Sequence, residues 1–278
     1  MTNQPYQKKI EAWRQDMEAS LRVEDGWLTV VGLFWLHEGE NTFGTDPSND
    51  IVLPPDSAPG RAGSFIHQAG ETRLRVDNNL DATIDGETAS DQALRVDQTG
   101  SPSIVGLGDL LMHVLQRGTR YGIRLRDKNS PLLKTFKGRR WYPVQEAYRV
   151  SGDFTACDPP KTIAVPNILG DATPTLSPGF VTFIMRGQEA RLDVISEREG
   201  RPYFIFKDET SRETTYPAGR FLLADRVDSG RVILDFNQAY NPPCAFTPYA
   251  TCPLPPPQNH LPLKLEAGER YEGARDKR

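Results

Sequence analysis

The chain reads as a mostly β protein: one amphipathic helix, then two β lobes, the second carrying a long proline-rich loop. Three observations predict this. Twenty-three glycines and twenty-three prolines in 278 residues require many turns and leave little room for long helices. Short runs rich in Val, Ile, Phe and Tyr recur along most of the chain, separated by Gly-containing turns. One stretch near the start carries a helical period.

That stretch places Tyr6, Ile10, Trp13, Met17 and Leu21 at spacings of four, three, four and four, one face of a helix over residues 5–22. Next, Trp27-Leu-Thr-Val-Val-Gly-Leu-Phe-Trp-Leu36 reads as an apolar strand pair broken at Gly32, and residues 37–41 as a tight turn. Short strands are predicted at 51–53, 63–68, 71–76 and 82–84, the last followed by an Asp85-Gly86 turn. Residues 110–116 and 120–126 form a hairpin around Gly118, with Arg120, Arg124 and Arg126 along one strand and His113 as a core histidine. Further strands are expected at 162–165, 179–185, 190–195, 203–206 and 231–235. This divides the chain into a helix (1–24), a first β lobe (25–147) and a second β lobe (148–278) with the proline-rich loop at 235–262.

The first lobe resembles a forkhead-associated domain: a turn led by Gly44, the strand Asn49-Asp-Ile-Val-Leu53, Ser64-Phe-Ile-His67, then Asp85-Gly86. The resemblance implies a β-sandwich that acts as a protein-interaction module, with Ser64 and His67 at a phosphopeptide. Thr45 and Phe65 stand where that family has arginines, which removes the bidentate partners of a phosphate.

The last loop is the most informative stretch. Leu234-Asp-Phe-Asn-Gln-Ala-Tyr-Asn-Pro-Pro-Cys-Ala-Phe-Thr-Pro-Tyr-Ala-Thr-Cys-Pro-Leu-Pro-Pro-Pro-Gln-Asn-His-Leu-Pro262 holds eight prolines and two of the three cysteines. Proline at this density excludes helix interior and central strand. Phe236, Tyr240, Phe246, Tyr249 and Leu254 are too much apolar surface for a solvated linker. The segment is therefore predicted to be an ordered loop that folds inward as a lid over a pocket. With Trp27–Leu36, Phe43-Gly-Thr-Asp-Pro-Ser-Asn-Asp50, Trp141-Tyr-Pro-Val144, Phe206-Lys-Asp-Glu-Thr-Ser211, Thr215-Tyr-Pro-Ala-Gly-Arg-Phe-Leu222 and Glu266-Ala-Gly-Glu269, it resembles the domain-of-unknown-function family 1684. That resemblance carries no biochemistry. His260 stands where the family usually has Arg, which argues against a catalytic or metal role for it.

A small polar or anionic molecule is the expected partner in this pocket. Arg220 would anchor its charge, Asp235, Asn237 and Asn241 would orient it, and Tyr216 and Tyr240 would wall it. The competing reading makes the same residues staples of the loop. As an enzyme, the pocket would use Cys244 as nucleophile or Asp235 as general base in hydrolysis or acyl transfer. No metal site is expected, because Cys244, Cys252 and His260 are spaced too widely for a structural zinc site, and no cofactor is implied. A Cys244–Cys252 disulfide would form only if the loop folds back, and would not persist in a reducing compartment.

Bulk properties exclude other classes. The net charge of −4, with both signs interspersed, offers no electrostatic footprint for nucleic acid. The polar start and the absence of any run of about 18 apolar residues argue against secretion and membrane spanning. Three cysteines suit a reducing compartment, so a cytoplasmic location is expected.

Overall fold

The computed structural model describes residues 4–77, 80–89 and 91–271. The outermost ends of the expected helix and second-lobe segments, 1–3 and 272–278, lie outside them. The chain forms two compact units, one of Leu21–Phe136 and one of Met1–Ser20 with Lys137–Arg278. The division thus falls about ten residues before the boundary expected between residues 147 and 148. The reason is pairing: the short strand Arg140–Trp141 lies antiparallel to Glu269–Arg270, which ties residues after 136 to the end of the chain. The helix is not a separate element, since most of it belongs to the unit that holds the chain's second half.

In Leu21–Phe136, two sheets enclose one core. The larger is antiparallel, with strands in the order Val30–Trp35, Arg120–Asp127, Leu110–Arg117, Val105–Leu107, Ala82–Ile84 and Glu87–Thr88. The smaller runs Ile51–Val52, Gly39–Gly44, Gly63–Gln68 and Glu71–Val76, its first pair parallel. Phe43, Phe65, Leu74, Ile84, Met112 and Ile123 meet in the core, as alternating strand faces require. The hairpin stands as predicted, with Arg117 opposite Arg120 around Gly118 at φ +59°. The expected strand pair broken at Gly32 is instead a 3-10 turn, Trp27–Thr29, and one strand with a bulge between Val30 and Gly32. The predicted tight turn at 37–41 already belongs in part to the strand Gly39–Gly44, with the Asn41 amide holding the carbonyls of His37 and Gly39. Gly44 is required by crowding: a Cβ there would lie 2.2 Å from the Gly60 carbonyl oxygen. Ser64 and His67 are buried, and His67 is bonded to the Thr72 hydroxyl and stacked 4.6 Å from Tyr121. The residues that would have met a phosphopeptide are part of the interior.

The other unit opens with the helix Gln4–Arg22, as the period predicts. Its main sheet is antiparallel, in the order Gln188–Asp193, Ala172–Met185, Arg149–Pro166 and Arg231–Asp235. Two strands of 18 and 14 residues replace the short ones expected at 162–165 and 179–185. A register shift between Ala156 and Lys161 lets the long strand absorb Pro159 and Pro160, which cannot donate to a ladder. A second sheet of Ser196–Arg198, Arg201–Phe206 and Arg220–Leu223 packs on it. Its middle strand buries both faces: Phe204 and Phe206 enter the main core, while Tyr203 and Ile205 join Ile163, Val165 and Phe221 in a second cluster.

Residues 235–262 are ordered, as their ring content demands. They proceed through the 3-10 turns Phe236–Gln238, Pro243–Ala245 and Pro257–Asn259 and bridge to Phe221, Asn167 and Lys207 along the way. Asn259 locks the last turn, accepting from the Asp193 amide and donating to the carbonyls of Asp193 and Ile205. Among the described residues no helix is long and apolar enough to cross a membrane.

Candidate functional site

The residues expected to hold a ligand divide into two clamps and a cleft. Arg220 begins the strand Arg220–Leu223 and is 1% exposed. Its Nη2 donates to Asp208 Oδ2 at 2.5 Å and to the Leu265 carbonyl at 3.1 Å, and its Nη1 donates to the Ala267 carbonyl. Asp208 in turn accepts from the Thr210 amide at 2.7 Å and from the Thr210 hydroxyl. The guanidinium lies over Phe206. An arginine taken this far from water must be paired within the protein, and here the pairing joins residues 208–210 to 265–267. Arg220 is therefore a clamp and not the ligand anchor predicted from sequence.

Asp235 and Asn237 form the second clamp. Both oxygens of Asp235 accept from the Tyr6 hydroxyl (2.8 and 2.9 Å), and Oδ1 also accepts from the Asn237 amide and side chain. The Asn237 carboxamide donates to the Gln145 carbonyl and accepts from the Gln145 amide, and the group is fully buried. Burial, with Asp235 beside it, pushes the Tyr6 phenol far above its ordinary value. These groups fasten the helix to the end of the strand Arg231–Asp235. Asp235 is held by these donors, and the Asn237 carboxamide is engaged at both its nitrogen and its oxygen.

Asn241 gives its backbone amide to Glu269 Oε2 at 2.8 Å and its side-chain nitrogen to the Arg270 carbonyl. Glu269 itself escaped prediction. It is 1% exposed and paired with Arg139, whose guanidinium also lies over Phe246 and donates to the Met17 carbonyl. Burial raises the Glu269 carboxyl to about 7, against the opposing pull of Arg139. Gly268 makes this approach possible: at φ +74° a Cβ would sit 2.4 Å from the Ala239 carbonyl oxygen. The Glu-Ala-Gly-Glu stretch was the sole trace of this arrangement in the sequence.

Tyr216 and Cys244 meet directly, the phenol donating to the Cys244 carbonyl at 2.8 Å. The loop does fold back, and the Cys244 amide donates to Cys252 Sγ at 3.3 Å. The Cys252 thiol, hydrogen-bonded to that of Cys244, lowers the Cys244 pKa. Burial opposes this and the Tyr216 hydroxyl reinforces it. None of the three cysteines is in a disulfide, and no three His, Cys, Asp or Glu side chains among the described residues are grouped to hold a metal ion.

Tyr240, among the predicted ligand residues, lines a cavity. A partly open cleft of about 150 Å³ is lined by Trp13 and Met17 of the helix, Arg201 and Leu223 of the second sheet, and Gln238 and Tyr240 of the loop. Trp13 stands edge-on to Tyr240 and to Trp141, and Tyr240 edge-on to Phe221. Arg201 Nε donates to the Ala224 carbonyl at 2.7 Å, which orients the guanidinium. The helical period placed Trp13 and Met17 on a buried face, but no local signal links that face to Arg201, 188 residues later.

A search of curated proteins finds no match. The solution NMR structure of the uncharacterized protein from gene locus rrnAC0354 of Haloarcula marismortui is similar at 27% identity. The match has a TM-score of 0.41 and covers 49% of this chain and 78% of that one. Residues 134–270 match a family described as protein of unknown function, DUF1684. Both clamps' second-half residues and the thiol pair fall within that matched segment.

Proposed function

We propose that the second unit binds a small molecule of about one ring, carrying a carboxylate or similar acceptor, in the cleft between helix, second sheet and loop. The cleft itself carries this reading. Two aromatic rings, a methionine and a leucine supply apolar wall, and one guanidinium and one carboxamide supply polar contacts. That is the usual composition of a ligand site. A volume near 150 Å³ is about that of an apolar cavity known to take benzene. Gln238 and the Arg201 Nη1 have no hydrogen-bond partner among the described residues, so both remain available to an acceptor. Arg220, Asp235 and Asn237 are occupied in the clamps, which favours a binding role over hydrolysis with Asp235 as base. The cysteine content favours a cytoplasmic setting for this binding.

Benzoate, with benzamide as its uncharged counterpart, is the probe. Benzoate is expected to quench tryptophan emission with a Kd on the order of 1 mM, as befits about nine non-hydrogen atoms. Arg201→Gln should weaken it about tenfold, the loss of one charge-assisted hydrogen bond, and leave benzamide nearly unaffected. Leu223→Phe, which fills the cavity, should abolish both. Equal binding by wild type and Leu223→Phe, or none by wild type, rejects the proposal.

A further inference from the structure

The two loop cysteines are set up for chemistry that ligand binding does not use. Cys252 is buried, and its Sγ receives the Cys244 backbone amide at 3.3 Å. Cys244 is half-buried, so one thiol is reachable and the other waits behind it. The nine-residue segment from Cys244 to Cys252 is held at both ends by prolines, Pro242 and Pro243 before it and Pro253 after. It is pinned by the 3-10 turn Pro243–Ala245, by the Tyr216 hydroxyl on the Cys244 carbonyl, and by the Asn167–Pro253 bridge. Rigid neighbours keep the thiols together before any bond forms, so little further ordering opposes their joining.

We propose that Cys244 and Cys252 are a reversible redox pair, oxidised by low-molecular-weight disulfides to an intramolecular disulfide. Cys244 is the attacking thiol. Its thiolate is stabilised by the Cys252 S–H, and exposure brings it to the oxidant. The Cys244 thiolate attacks one sulfur of RSSR, forming a mixed disulfide and expelling RS⁻, which takes a proton. Cys252 then loses its proton to solvent and attacks Cys244 Sγ, and the second RS⁻ leaves. The two thiols give up two electrons and two protons, and RSSR becomes two RSH. The backbone amide directed at Cys252 Sγ favours charge on that sulfur at the second step.

Full-length protein equilibrated at graded ratios of oxidised to reduced glutathione tests this. After thiol alkylation and chymotryptic cleavage between the two cysteines, at Phe246 or Tyr249, wild type should yield linked Cys244 and Cys252 peptides with no stable glutathione adduct. Cys252→Ser should trap glutathione on Cys244, and Cys244→Ser should leave Cys252 unmodified. In reduced wild type, iodoacetamide should label Cys244 at least about tenfold faster than Cys157 at pH 7. The wild-type peptide map does not depend on either variant folding. A wild type with both thiols free at every ratio, or with glutathione retained on Cys244, overturns the proposal.

Discussion

The two units bury ionisable groups of opposite character, and each answers acid in its own direction. In Leu21–Phe136, His113 lies on an inner strand directly opposite Arg124. Burial, then Arg124 and Arg126, lower its pKa to about 4. In the other unit Glu269 is raised to about 7 by burial, although Arg139 touches it. Desolvation disfavours whichever form is charged, so the imidazole and the carboxyl both shift toward neutrality. The contrast also separates a group that is merely tolerated from one that is used. His113 stays neutral in a β ladder, while Glu269 accepts the Asn241 amide and holds Arg139 beside the loop.

The comparison is broken most severely by removing a clamp. Arg220→Met leaves Asp208 buried without its cation and should cost about 3–5 kcal/mol. The loss should appear as a lower urea midpoint, and an unchanged midpoint would show that Asp208 finds another partner.

Acid sharpens the comparison with a smaller effect. The folded carboxyl of Glu269 binds a proton more readily than its unfolded counterpart, ordinarily 4.5. Its contribution is therefore fully present below about 4.5 and is lost as pH rises to about 7. For His113 the unfolded chain, ordinarily 6.5, takes the proton first, so stability is lost as pH falls from 6.5 to about 4. Each is on the order of 3 kcal/mol across its window. Urea titrations at several pH values should show Glu269→Gln removing the first dependence and His113→Gln the second. Identical pH profiles in all three proteins would contradict both assignments.

Tyr6→Phe is the mildest test. It deletes the hydroxyl that serves Asp235 and Asn237, and should cost about 1–3 kcal/mol. The thermal midpoint should fall while helix content by circular dichroism is retained, because the helix period does not depend on that hydroxyl.

Local pattern made much of this legible. Tyr6, Ile10, Trp13, Met17 and Leu21 marked the helix because its period is written along the chain itself. Residues 110–127 announced a hairpin by alternation around Gly118. Strand length was less accessible: a short strand was expected at 162–165, yet a register shift accommodates Pro159 and Pro160 inside one strand, Arg149–Pro166. Arg220, Asp235 and Asn237 are bonded within the protein in the manner of the staple reading. Arg220, Asp235 and Asn237 looked like ligand donors because residue type records capacity for hydrogen bonds and not who fills it.

Composition and period alone therefore determined the β character, the leading helix and the ordered proline-rich segment. Only the tertiary structure decided which polar groups are consumed and where space remains. The Tyr6 hydroxyl and Asp235 are 229 residues apart, and Arg139 and Glu269 130 apart. Pairings over such distances follow from how sheets, helix and loop pack, and burial then obliges each polar group to take the partner that packing supplies.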